Sequence, residues 1–408
     1  MKRLSQKNLK SACLIAFCYL FSGSLFFTLS GGFVVLRWLI VPLLFFAFLK
    51  LLSRKLLMAT VHLFVWIMLV FLAIVLRGLG GFFENANLVL CFLGAYYITQ
   101  KRSHTEIITV FVKSMVVVAA LSLIGHCINN YISPMTWLPQ KVNSNDITFS
   151  VGYIYNFITD ESMRNCGPFW EPGVYASWLI LALVLLNYMP WIRRKALCNV
   201  IIILTILTTV SAAGYVLLLL ALALLSSNVA RNSKGKYAFL VPMTFVIIAT
   251  VLFTSGLMEN IISSNKFLGD LNADSLADSS RFFAVEQNWG LFLQNPVFGF
   301  GQSYVIENTT NVANTAGTFY LLSCFGIFGI TYTLAILYGI FRQRGLTFVE
   351  KLLVAVIFFI IINKESQYDY MLNWVFTFIL LSSNHVFADL KRNKGGARSA
   401  TTFEETKK

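Results

Sequence analysis

Hydrophobic residues in this chain fall in long unbroken runs rather than in alternation with polar ones. Runs of helical length lie near residues 11–30, 33–52, 57–76, 82–99, 105–128, 172–189, 196–211, 212–227, 238–255, 315–340, 349–363 and 369–387. A membrane-crossing helix needs about 20 apolar residues at ~1.5 Å of rise each. The pattern therefore predicts an all-α fold, one integral membrane domain over residues 1–408 with about twelve transmembrane helices. Ala196 to Ser227 is too long for one crossing and short for two, so it reads as two helices broken at Ser211-Ala212-Ala213-Gly214. Two polar stretches interrupt the pattern, residues 129–171 and 256–314, and a tail runs over 388–408. Within the second, Ser279 or Ser280 caps an aromatic-rich segment, RFFAVEQNWGLFL, that ends at Asn295-Pro296 and the turn Phe298-Gly299-Phe300-Gly301. Its apolar content without spanning length predicts a helix lying at the membrane surface or against the bundle.

Composition supports this pattern, since a chain 57% hydrophobic and 12% charged cannot cover its apolar surface in water. The opening MKRLSQKNLK leads into an apolar run without a small-residue cleavage pattern, so a retained first helix is expected. The seven cysteines lie mostly in apolar runs and read as core residues, although Cys127 and Cys166 both fall where an oxidising compartment would allow them to pair.

The net charge of +14 would suggest nucleic acid in a soluble protein, and its distribution removes that reading. With the N-terminus in the cytoplasm, most of the 32 Lys and Arg fall inside: the first ten residues, Lys50/Arg54/Lys55, Lys101/Arg102, Arg193/Arg194/Lys195, Arg231/Lys234/Lys236, Arg342/Arg344/Lys351 and the tail from Lys391. Arg77, Lys141, Arg164, Lys266, Arg281 and Lys364 fall outside. This asymmetry places both termini in the cytoplasm and both large loops outside. Arg37 and Lys113 lie within spans; snorkelling is the simpler account of each, with Arg37 kept as a secondary candidate for an anionic lipid head.

Three charged clusters then share the outer side: Arg164 with Glu171, Arg281 with Glu286, and Lys364 with Glu365. Pro172 suits the first position of a helix, which sets Glu171 at that helix's positive end. An arginine fork suits phosphate, and a carboxylate at the edge of a low-dielectric cavity suits taking a proton from a hydroxyl. Spacing alone leaves open a plain Arg164–Glu171 salt bridge that closes the loop. Trp137, Tyr153 and Tyr155 fit an interfacial belt or a sugar platform, belt being the commoner outcome. Asp270, Asp274 and Asp278 read as a solvated acidic face, because no His or Cys accompanies them.

In order along the chain, RNCGPFWEPGVYASWLILAL, SAAGYVLLLL, SSRFFAVEQNWGLFLQNPVFGFG and NTAGTFYLLSCFGIFG resemble the segments of the Wzy-type O-antigen and exopolysaccharide polymerases, relatives of the O-antigen ligases. The resemblance implies an enzyme of the bacterial inner membrane that moves a growing glycan from undecaprenyl pyrophosphate onto the next lipid-linked repeat unit, with no metal or other cofactor. Its partners would be the undecaprenyl-pyrophosphate-linked oligosaccharide, a chain-length regulator and a flippase, and no nucleic acid. It assigns Arg164 and Arg281 to the donor pyrophosphate and Glu171 to the acceptor hydroxyl. Arg37, Trp170, Tyr175, Glu286, Gln302, Lys364, Glu365 and Tyr368 are the candidates for further substrate contacts. Ligases of this group carry a histidine near the helix after the second loop, and Asn311 to Phe319 contain none. Ligase is therefore the first rival. A flippase without catalysis is the second, and the absence of an obvious internal repeat counts against it.

Overall fold

A computed structural model of the chain describes residues 16, 18–19, 21–25, 34–49, 58–143, 147–232, 281–309, 316–364 and 367–392. They form α1 (Val34–Leu49), α2 (Met58–Arg77), α3 (Leu79–Lys101) and α4 (His104–Cys127), then strands β1 (Gln140–Val142), β2 (Thr148–Val151) and β3 (Asn156–Ile158). There follow α5 (Pro172–Asn187), α6 (Lys195–Thr208), α7 (Ala212–Asn232), α8 (Arg281–Gln294), α9 (Gln302–Glu307), α10 (Gly317–Phe325), α11 (Thr331–Phe341), α12 (Phe348–Lys364), α13 (Met371–Ser382) and α14 (Val386–Arg392).

Among the described residues, the apolar runs from 33 onward form helices, including the pair α6 and α7. Their break falls where expected, with Val210 in a left-handed turn and the Ser211 hydroxyl accepting from Gly214 N at 3.3 Å. The helices keep close to the expected bounds, and fewer of them have spanning length. Among the described residues, the stretches long and apolar enough to cross a membrane are Met58–Leu76, His104–Ile132 and Gly317–Phe341; α13 and α14 qualify only as a pair bent by 90°. Pro172–Asn187, Lys195–Thr208 and Ala212–Ser227 are apolar but shorter. The run at 238–255 lies outside the described residues. So does most of the run at 11–30, and its described end is no continuous helix, because residues 21–23 turn and Ser24 bridges Phe169.

α5 is apolar on every side and accordingly buried on every side, from Pro172 through Leu186. It packs on α4, α6 and α7 and touches the end of α12, while α3 anchors the other half by packing on α1, α2 and α13. Between the halves lies an aromatic cluster in which Trp374 meets Trp66 at 5.2 Å and Tyr332 at 4.7 Å, ring centre to ring centre.

The first large loop departs from the all-α expectation. β1, β2 and β3 form an antiparallel sheet in sequence order, with Phe149 opposite Ile158 and Lys141 opposite Phe149. Asn156 holds its last turn, accepting from Gly152 N at 2.9 Å and Tyr153 N at 2.8 Å and donating to Gly167 O at 2.8 Å. Phe149 and Val151 pack with Leu25 beneath the sheet. The loop is thus a small folded module clamped to the helix ends. Cys127 is exposed, Cys166 is buried, and both are free thiols.

Candidate functional site

Glu171 is the residue before α5. Its carbonyl accepts the first helical bond, from Tyr175 N at 3.2 Å, and Pro172 occupies the position where a missing N–H costs nothing. A side chain at this place commonly caps the free amides of the first turn, and that of Glu171 does not. Lys364, the last residue of α12, instead donates from Nζ to Glu171 Oε1 at 3.2 Å. The lysine side chain is 3% exposed and the glutamate 21%, so the cation is the more deeply buried partner. Gly173 makes this possible, since a β-carbon there would coincide with Lys364 Nζ.

The loop before Glu171 is locked on three sides. Asn165 donates to Thr208 Oγ1 at 3.0 Å at the end of α6, and its Oδ1 accepts from Gly167 N at 2.8 Å. Tyr175 OH shares a hydrogen bond with Ser122 of α4 at 2.7 Å. Trp170 Nε1 donates to Tyr370 OH at 2.9 Å, just before α13. Residues 21–25 lace these parts together: Trp170 N donates to Gly23 O at 3.2 Å, Leu25 N to Pro168 O at 3.0 Å, Met371 N to Phe21 O at 2.9 Å and Leu372 N to Ser22 Oγ at 3.0 Å. Three segments remote in sequence therefore meet around Glu171.

Arg164 does not bridge to Glu171. Its guanidinium pairs with Glu161, three residues earlier, and its Nε is buried without a hydrogen-bond partner. Both charges act on the Cys166 thiol. Burial pushes the Cys166 thiol up to about 12, the Arg164 charge pulls it down and the Glu171 charge raises it further.

On the opposite flank, α8 lies against α10 as the aromatic segment predicted. Ser323 Oγ donates to Asn288 Oδ1 at 2.6 Å. The Asn-Pro-x-x-Gly-x-Gly turn then docks on α10, with Phe300 N donating to Ser323 O at 2.8 Å and Gly301 N to Cys324 O at 2.9 Å. Gly299 and Gly326 pass each other with positive φ of 66° and 62°; a β-carbon at Gly299 would sit 2.5 Å from the Cys324 carbonyl carbon. A cavity of about 290 Å³ opens between this turn and α2, lined by Leu69, Leu72, Leu76, Phe298 and Phe300 among others. Asn363 Oδ1 accepts from Thr318 N at 2.9 Å and ties α10 to the Lys364 end of α12.

The structure brings together Glu171, Lys364, Trp170 and the Arg164 loop. Tyr175 and Tyr368 are both buried; Tyr368 stacks on Tyr320 at 5.7 Å and burial drives its hydroxyl well above the usual range. Glu286 is exposed on α8 and Gln302 is half-buried at the start of α9. Arg281 opens α8 and Arg37 sits on α1, with both side chains outside the described set, as is Glu365 and the acidic stretch Asp270, Asp274 and Asp278. Among the described residues no three His, Cys, Asp or Glu side chains converge as a metal site. Sequence reasoning missed residues 21–25, whose one signal was Ser22-Gly23-Ser24 inside an apolar run.

Residues 197–323 match the family model described as O-antigen ligase. The matched stretch runs from α6 through α8 into α10 and includes Arg281, while Arg164, Glu171 and Lys364 lie beyond it. No curated protein matches the chain. The apolar helices and this match together indicate an integral membrane protein that is similar, over residues 197–323, to the family described as O-antigen ligase.

Proposed function

We propose that this chain, which is similar over residues 197–323 to the family described as O-antigen ligase, is a polysaccharide polymerase working at the periplasmic face of the inner membrane. The observation that carries the reading is the carboxylate of Glu171, held at a helix mouth by Lys364 beside the loop that bears Arg164. In the proposed step the acceptor sugar hydroxyl attacks the anomeric carbon of the donor glycan. Its proton passes to Glu171 as the new glycosidic bond forms, and the bond from the anomeric carbon to undecaprenyl pyrophosphate breaks. Arg164, with a guanidinium N–H to spare, and Arg281 stabilise the charge that develops on the departing pyrophosphate. The apolar cavity beside the Asn-Pro turn suits the first isoprene units of the carrier. No metal or nucleotide sugar takes part in this reading.

Purified protein in detergent, supplied with undecaprenyl-pyrophosphate-linked repeat unit, should lengthen the glycan, and Arg164→Ala and Arg281→Ala should each lower kcat on the order of 10²- to 10³-fold. Absence of any lengthening would remove the polymerase reading. A second reading, ligase, is favoured by the description of the matched family. A deletion strain separates the two: loss of a polymerase leaves single repeats on the lipid core, and loss of a ligase leaves the core bare.

A further inference from the structure

Two features invite a role beyond the step described: the exposed aromatic residues of the loop module, Trp137 and Tyr153, and the buried lysine paired with Glu171. Nothing in the structure shows what covers the first. The lysine carries an inference, because its partner, its seat and its exposure all point one way.

Lys364 comes to Glu171 across 193 positions of chain and is all but sealed from solvent. A buried ammonium is costly unless paired, so its seat has to be built. The seat is Gly173, one of the few residue choices in the first turn of α5 that leaves the ammonium room. The ammonium lies between two helix ends, at the last turn of α12, whose negative end favours it, and against the first turn of α5, whose positive end does not. An ammonium buried there with Glu171 Oε1 at 3.2 Å is placed to act on the carboxylate and not on a ligand. Asn363, its neighbour, is tied to Thr318, so α12 delivers the lysine from a fixed end.

We infer that Lys364 is the positioning residue for Glu171: it holds the carboxylate away from the helix amides and turned towards the acceptor hydroxyl. This rests on the reading of Glu171 as the base. It removes Lys364 from the substrate contacts and gives it a role exercised through its partner. It also explains the local sequence Glu-Pro-Gly, in which each residue has a separate duty: the carboxylate, the helix start and the space for the ammonium.

The test is steady-state kinetics of the full-length protein in detergent on undecaprenyl-pyrophosphate-linked repeat unit. Lys364→Met should lower kcat about 100-fold, the scale of a misplaced catalytic group, while KM stays within about twofold. Glu171→Gln combined with Lys364→Met should be no slower than Glu171→Gln alone, because the lysine acts only through the glutamate. A Lys364→Met protein with wild-type kcat beside an impaired Glu171→Gln would overturn the inference and leave the base reading standing. Multiplying losses in the double variant, or a rise in KM alone, would also overturn it. Full activity in Glu171→Gln would remove the base and this inference with it. Should Lys364→Met fail to accumulate, Gly173→Ala takes its place, since the added methyl displaces the ammonium without removing it; wild-type kcat there would overturn the inference equally.

Discussion

Lys195, Arg342, Lys351 and Lys391 each reach a backbone carbonyl, whereas Lys364 reaches a carboxylate. Lys195 Nζ donates to Asn187 O at 2.7 Å, Lys351 Nζ to Phe341 O at 2.8 Å, Lys391 Nζ to Gly345 O at 2.7 Å, and Arg342 to Leu381 O at 3.0 Å. Asn187 and Phe341 close α5 and α11, and Leu381 lies in the last turn of α13. Lys195, Lys351 and Arg342 therefore cap carbonyls that a helix end leaves unpaired and sit where the dipole favours positive charge, while Lys391 ties the turn between α11 and α12. At the Glu171 end, Lys364 also closes a helix, α12, but its ammonium turns to a carboxylate on another element, at the first turn of α5. One end uses charge to finish helices; the other spends fold stability to hold a charge where chemistry needs it.

The sharpest break between the ends should appear in activity. Glu171→Gln removes the proton acceptor and is expected to lower kcat on the order of 10³-fold, within the range for acid–base groups. Lys391→Met, which uncaps Gly345 O and removes the cation over the Tyr188 ring far from Glu171 in sequence, should stay within about twofold of wild type in the same chain-lengthening assay. Comparable losses in both would mean that the two ends do not differ in function.

Two buried amides sharpen the comparison next. Gln343 is fully buried and donates to Gly339 O, Leu380 O and Ser383 O while accepting from Val386 N at 3.1 Å. Gln343→Ala should cost roughly 3 kcal/mol of stability, read as a lower melting temperature in detergent, with kcat of the folded fraction unchanged. Asn165 is as deeply buried and fixes the Arg164 loop to α6. Asn165→Ala should cost roughly 2 kcal/mol and lower kcat about tenfold as well, because the loop it releases carries the arginine. An Asn165→Ala protein that melts early but works normally would detach the loop from the site.

Thiol labelling addresses the sides of the membrane. Cys127 is exposed at the end of α4, while burial holds the Cys166 thiol at about 12, which leaves roughly a thousandfold less thiolate than an ordinary cysteine. A membrane-impermeant maleimide added to spheroplasts should label Cys127 and spare Cys166. Labelling of Cys127 only after permeabilisation would reverse the orientation read from the basic residues.

What the sequence made legible were features encoded locally. Apolar runs gave helices, Ser211 to Gly214 gave the break, and Glu-Pro gave the start of α5 with its carboxylate at the mouth. The partner of that carboxylate was not legible, because Lys364 reaches it only when α12 packs beside α5, and Arg164 sits close enough to Glu161 for the nearer bond to win. Strands of three and four residues carry too few positions for alternation to show, so the loop module was hidden. Residues 21–25 read as membrane helix because their apolar neighbours outweigh two serines and a glycine, although their backbone is spent on bridging the loop and α13.

The smallest expected effect separates the two kinds of lysine most cleanly. Lys351 is tied by one solvent-facing bond to Phe341 O, and a cation near a helix C-terminus contributes roughly 0.3 to 1 kcal/mol. Lys351→Met should therefore lower the melting temperature only slightly at low salt. At 1 M salt, where the screening length falls to about 3 Å, the difference from wild type should vanish. The Lys364–Glu171 pair is shielded from the same ions by its burial, so the kcat loss of Lys364→Met should persist across that range of salt. Salt sensitivity in Lys364→Met equal to that in Lys351→Met would show that Lys364 is one more helix cap, and the contrast between the two ends would collapse at its central residue.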